Sequence, residues 1–137
     1  MATRSNIIVQ DEYNRIQLYR HWDGYPKAVI PELKTALEFA WKLPRFEADD
    51  FAAAIVRAWK DRGGGNIYID GGPKAFEMIH GDTEYVYAIK FDKRKKEPFI
   101  EIYDWHDHWF EKSNINEKSF KPKIKEIVYF SQIRKKD

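Results

Sequence analysis

The chain has 137 residues, 43% of them hydrophobic and 34% charged, with a net charge of +2. That length suits one domain spanning residues 1–137 with one core, and the composition excludes a disordered chain. The absence of cysteine excludes disulfides, thiolate ligands and a cysteine nucleophile.

Ser5 to Gln10 reads as a strand, and Arg15 to Arg20 alternates with Ile16 and Leu18 on one face. With a turn at Glu12-Tyr13-Asn14 between them, they predict an N-terminal β-hairpin. Arg20-His21-Trp22-Asp23-Gly24-Tyr25-Pro26 follows directly. Asp, Gly and Pro together fit neither a buried strand nor a helix, so this is a shaped loop. Gly24 is expected at positive φ.

Pro31 suits the first turn of a helix. Val29, Ile30, Leu33, Ala36, Leu37, Ala40 and Trp41 recur at helical spacing as a core-facing stripe, ended by Pro44. Asp49 or Asp50 is expected to cap a second helix, with Phe51, Ile55, Val56 and Trp59 inward. Gly63-Gly64-Gly65 follows that helix and reads as its C-cap; a phosphate loop would instead open a helix.

Asn66 to Ile69 reads as a short strand and Ala75 to Ile79 as another, with polar turns at Asp70-Gly71-Gly72-Pro73 and His80-Gly81-Asp82. Glu84 to Asp92 alternates clearly, Lys93 to Pro98 is a charged connection, and Phe99 to Trp105 returns. Lys112 to Ser119 is a polar loop, and Ile124 to Phe130 is a strand or a helix. Strand runs around a helix pair, without regular alternation, predict an α+β fold: a mainly antiparallel sheet with both helices on one face.

Charge is uneven. Residues 1–89 hold 11 Lys/Arg and 13 Asp/Glu, while residues 90–137 hold 13 and 9. Lys93-Arg94-Lys95-Lys96 is either a solvated turn or a phosphate-attracting patch. Aromatic residues make up 16%, more than a core of this size needs. Surplus Trp and Tyr fit ligand pockets, base stacking or a homo-oligomer interface.

Two constellations could carry chemistry. Asp104, His106 and His108 would share one face of an extended strand, and that ligand set suits zinc, hence a metal-dependent hydrolase as an alternative. The shaped loop offers Arg20 for a phosphate, His21 as a donor, and Trp22 or Tyr25 for stacking, with Asp23 in the turn. His80 and Asp82 form a similar pair in the later turn. Asp23 and Asp82 could each orient a histidine for acid–base work, or simply cap a turn.

Tyr19-Arg20-His21-Trp22-Asp23-Gly24-Tyr25-Pro26, with Gly81-Asp82-Thr83-Glu84-Tyr85-Val86-Tyr87, resembles a group of small phage and bacterial proteins carrying a Tyr-x-His-Trp-Asp-Gly-Tyr-Pro signature near the N-terminus. The likeness covers roughly residues 4–92 and implies no particular chemistry. Small phage proteins of this class include sponges that sequester nucleotide immune signals, an analogy of class alone.

These readings converge on non-enzymatic binding of a small phosphate-containing nucleotide, rather than nucleic acid. The ligand set is Arg20, His21, Trp22, Asp23, Tyr25, His80 and Asp82, with no metal or cofactor. A protein-binding inhibitor using an aromatic surface is the third reading. No run approaches about 18 apolar residues and no signal-peptide pattern opens the chain, so a cytoplasmic location without membrane contact is expected, host cytoplasm if phage-encoded.

Overall fold

The computed structural model describes residues 3–60, 66–71, 83–104 and 124–134. Strand β1 (Ser5–Gln10) and strand β2 (Arg15–Arg20) form the expected hairpin, Ile7 opposite Leu18 and Val9 opposite Ile16. Helices α1 (Pro26–Ala36) and α2 (Ala48–Lys60) come next. Strands β3 (Ile67–Ile69), β4 (Tyr85–Asp92), β5 (Glu97–Asp104) and β6 (Glu126–Tyr129) complete a six-stranded sheet among the described residues, in the order β3-β2-β1-β4-β5-β6.

The fold is α+β, as the pattern predicts, and the sheet is mixed. Four of the five pairings are antiparallel, and β1 runs parallel to β4. Both helices cover the face bearing Ile7, Val9, Leu18, Tyr87, Ile89, Ile100 and Ile102. Phe51, Ile55 and Trp59 of α2 fill that core, as their spacing requires. Ile8 and Val86, with Tyr103 against them, form a smaller cluster on the rear face.

The first helix departs from expectation at both ends. It begins at Pro26, not Pro31, and Pro31 lies inside it. Pro26 at the start loses no bond, because the first N–H groups of a helix have no partner within it. The helix stops at Ala36, and a 3-10 turn, Leu37–Phe39, follows. Ala40 is already extended, so Trp41 leaves the stripe and is 51% exposed under the Arg45 guanidinium.

The cap of α2 also differs. Asp49 and Asp50 lie in its first turn, and Asp50 accepts the Trp41 N–H instead. The N–H of Ala48 donates to Asp11 Oδ2 at 2.7 Å, from a turn 37 residues upstream. Asp11 Oδ1 accepts the Tyr13 and Asn14 N–H groups, so one carboxylate fixes both the hairpin turn and the helix start. Burial pushes the Asp11 carboxyl up, but these three bonds prevail and hold it below its usual range.

The 124–130 segment resolves as strand β6, followed by the 3-10 turn Phe130–Gln132. The triple glycine, the 75–79 strand, the 80–82 turn and the 112–119 loop lie outside the described residues. No described helix is long and apolar enough to cross a membrane.

Candidate functional site

Strand alternation decides where the shaped loop's residues go. Arg20 shares the helix-facing side of β2 with Ile16 and Leu18, whereas Tyr19 faces the rear. Arg20 is 2% exposed and spoken for. Its Nη1 lies 2.5 Å from Glu32 of α1, its Nε donates to the Trp22 carbonyl at 2.9 Å, and its guanidinium stacks 4.5 Å from the Trp59 ring centre. Arg20 therefore grips the protein's own corner rather than a phosphate at the surface.

Gly24 serves that corner by a different mechanism from the expected one. The positive φ falls on Asp23, at 54°. What Gly24 supplies is room. A Cβ there would stand 2.7 Å from Ser5 Oγ and 2.8 Å from the Thr3 carbonyl oxygen. Its N–H donates to that same Thr3 carbonyl, and its own carbonyl accepts the Tyr87 hydroxyl at 2.6 Å. Burial drives the Tyr87 phenol far above its ordinary pKa, so it keeps the proton that this bond requires.

On the rear side a cleft of about 560 Å³ opens among Arg4, Tyr19, His21, Tyr68, Asp70 and Gly71, with Ile69 at its edge. That size falls within the roughly 300–1,000 Å³ of small-molecule sites. Tyr68 of β3 lies opposite Tyr19 in register, and their rings are 5.9 Å apart. Lys60, the last residue of α2, holds its ammonium 5.5 Å from the Tyr68 ring centre.

His21 is half-buried, its N–H fixed to the Asn66 carbonyl. Its Nδ1 lies 3.0 Å from the Tyr19 hydroxyl. When the phenol donates, the neutral ring carries its proton on Nε2 as a donor. The Trp22 ring meets His21 edge-on, at 5.9 Å.

The cleft's carboxylate is equally fixed. Asn6 Nδ2 and Gln17 Nε2 both donate to Asp70 Oδ2, at 2.9 and 2.8 Å. Asn6 in turn accepts the Thr83 hydroxyl at 2.5 Å. Hydrogen bonds linked in this way hold the carboxylate in one geometry.

Of the loop residues predicted to bind ligand, His21 alone lines this cleft, with Trp22 beside it. Arg20 lies across the sheet. Tyr25 caps α1 in extended conformation and is exposed, as is Asp23. His80 and Asp82 lie outside the described residues, as do His106 and His108. Asp104 sits 3.3 Å from Lys125, and no group of three or more His, Asp or Glu among the described residues could hold a metal ion. Sequence reasoning missed Arg4, Tyr19, Tyr68 and Asp70. The signal for Tyr19 was available, because residues 19 and 21 share a strand face that residue 20 does not.

The chain matches no known protein-family model, no curated protein and no solved structure.

Proposed function

We propose that the protein binds and sequesters a small phosphate-containing nucleotide in the His21 cleft, without turning it over. One observation carries this reading: Arg4, the exposed Tyr68 ring and an oriented imidazole line one cleft of nucleotide size, with Lys60 against the Tyr68 ring. Phosphates call for cationic forks and N–H donors, and bases call for π-faces. Arg4 takes the phosphate role that sequence reasoning gave to Arg20. Tyr68 and Trp22, both exposed, offer the stacking surfaces. Capture of a nucleotide immune signal is the setting proposed, by analogy of class with small phage proteins.

The test is calorimetry against cyclic dinucleotides, cyclic trinucleotides and cyclic ADP-ribose isomers, with mass spectrometry of anything released from heat-denatured protein. At least one should bind with Kd below about 10 μM and be recovered chemically intact. Arg4→Ala should weaken it roughly ten- to hundredfold, the worth of one hydrogen bond to a charged partner. Failure of the whole panel to bind, or turnover of any member, overturns the reading.

A further inference from the structure

A second cleft lies at the opposite end of β1, and the sheet's topology creates it. β1 and β4 are parallel neighbours. From its C-terminal end β1 turns to β2 on one side, and from its C-terminal end β4 turns to β5 on the other. Two parallel strands whose continuations separate in this way leave a crevice beyond their carboxyl ends, as at the switch point of an open α/β sheet. The crevice here measures about 570 Å³.

Its floor is apolar and rooted in the core. Phe46 and Phe91 stack at 5.5 Å with an interplanar angle of 10°, and Phe46 also meets Phe51 edge-on. Pro44 forms one wall, and Tyr13, 87% exposed, forms another. A tyrosine with so little protein against it offers both faces to a flat partner.

The mouth carries one charge of each sign. Glu12 of one turn pairs with Lys93 of the other, and both side chains are more than half exposed. Exposed pairs of this kind contribute little and exchange readily for other partners. The other ionic groups lining the crevice also have partners, of which the Glu47 pair is itself exposed. Asp11 holds three N–H groups, Glu47 lies 2.5 Å from Arg45, and Lys90 lies 2.6 Å from Glu101.

We propose that this crevice binds a free aromatic amino acid. Its ring would lie on the Phe46–Phe91 stack beside Tyr13, its ammonium against Glu12, and its carboxylate against Lys93. A zwitterion satisfies both members of the opened pair, while a ligand with a single charge leaves one unanswered. A peptide carries its two terminal charges too far apart for this.

Titration of the isotopically labelled protein with L-tryptophan, L-tyrosine and L-phenylalanine, followed by NMR, tests it. Saturable shifts should appear at Tyr13, Phe46 and Phe91, with Kd of about 1 mM or tighter. N-acetyl-tryptophan and tryptamine should each bind roughly tenfold more weakly, having lost one charged contact. Tyr13→Ala should weaken binding without moving the melting temperature. The proposal is overturned if no aromatic amino acid shifts these residues, or if either single-charge analogue binds as tightly. It is equally overturned if saturable shifts centre on His21 and Tyr68.

Discussion

The two ends of β1 carry clefts of nearly equal volume built on opposite principles. At the His21 end the polar groups orient one another: Asn6 and Gln17 on Asp70, and Tyr19 on His21. At the other end the floor is a phenylalanine stack, and Glu12 and Lys93 at the mouth are weakly paired at the surface. Cleft size therefore says little about ligand class here. Whether polar groups are satisfied from beneath or across solvent says more, because the first arrangement fixes geometry and the second leaves it exchangeable.

The sharpest way to break this comparison is to remove what stiffens the His21 end from below. Arg20→Ala removes the guanidinium paired with Glu32, which is 4% exposed. We expect a loss of about 3–5 kcal/mol by chemical denaturation, the cost of breaking a buried pair. An unchanged unfolding midpoint would mean that the corner is not held from the helix side. Replacing the pair together, as Arg20→Met with Glu32→Leu, should cost much less than Arg20→Ala alone.

A smaller loss is expected at Gly24. Even Gly24→Ala places a methyl against Ser5 and the Thr3 backbone, and Gly24→Val adds two more carbons. Overpacking of this kind costs about 1–3 kcal/mol. Because φ at Gly24 is not the constraint, the alanine variant should already show most of the loss in thermal unfolding.

At the far end the corresponding fixture is Asp11, and its removal should be milder and pH-dependent. Asp11→Ala should cost on the order of 1 kcal/mol at pH 7, as for a lost helix cap. Folding lowers this carboxyl's pKa, so its contribution is complete above the unfolded value of about 3.9 and fades as pH falls through the lower folded value. Denaturation at pH 7, 5 and 3 should show the gap between wild type and variant closing only at the last. A constant gap would show that the N–H bonds act independently of the charge.

Least disturbing to stability is Tyr68→Ala, at an exposed edge-strand position. Unfolding should move by no more than about 0.5 kcal/mol. Nucleotide binding should weaken about tenfold through lost stacking, while the aromatic amino acid should bind as before. Equal loss at both clefts would erase the distinction between the two ends.

Much of this architecture is written locally. Ile7 and Val9, Ile16 and Leu18, and Tyr85, Tyr87 and Ile89 alternate at the strand period, and Phe51, Ile55 and Trp59 follow the helical one. What could not be read depends on partners distant in sequence. The cap of α2 comes from a turn 37 residues away, and Tyr68 and Asp70 join the His21 cleft only because β3 pairs with β2. Arg20 is the opposite case. Its position one residue from Tyr19 placed it on the core face, yet its charge invited a ligand role.

The seam between β1 and β4 also has a kinetic side. Ser5 lies opposite Tyr85, eighty positions further on, and among the described residues no other strand pairing joins the β3-β2-β1 half of the sheet to the β4-β5-β6 half. Contacts that distant form slowly, because a long loop must close before any of them stabilises the chain. On a ribosome delivering about 5–20 residues per second, the hairpin and both helices exist for seconds before β4 emerges. Throughout that interval β1, which ends as a central strand, presents a bare edge rich in isoleucine and valine. The nascent chain is then most open to pairing with another copy of itself, a hazard that vanishes from the finished sheet.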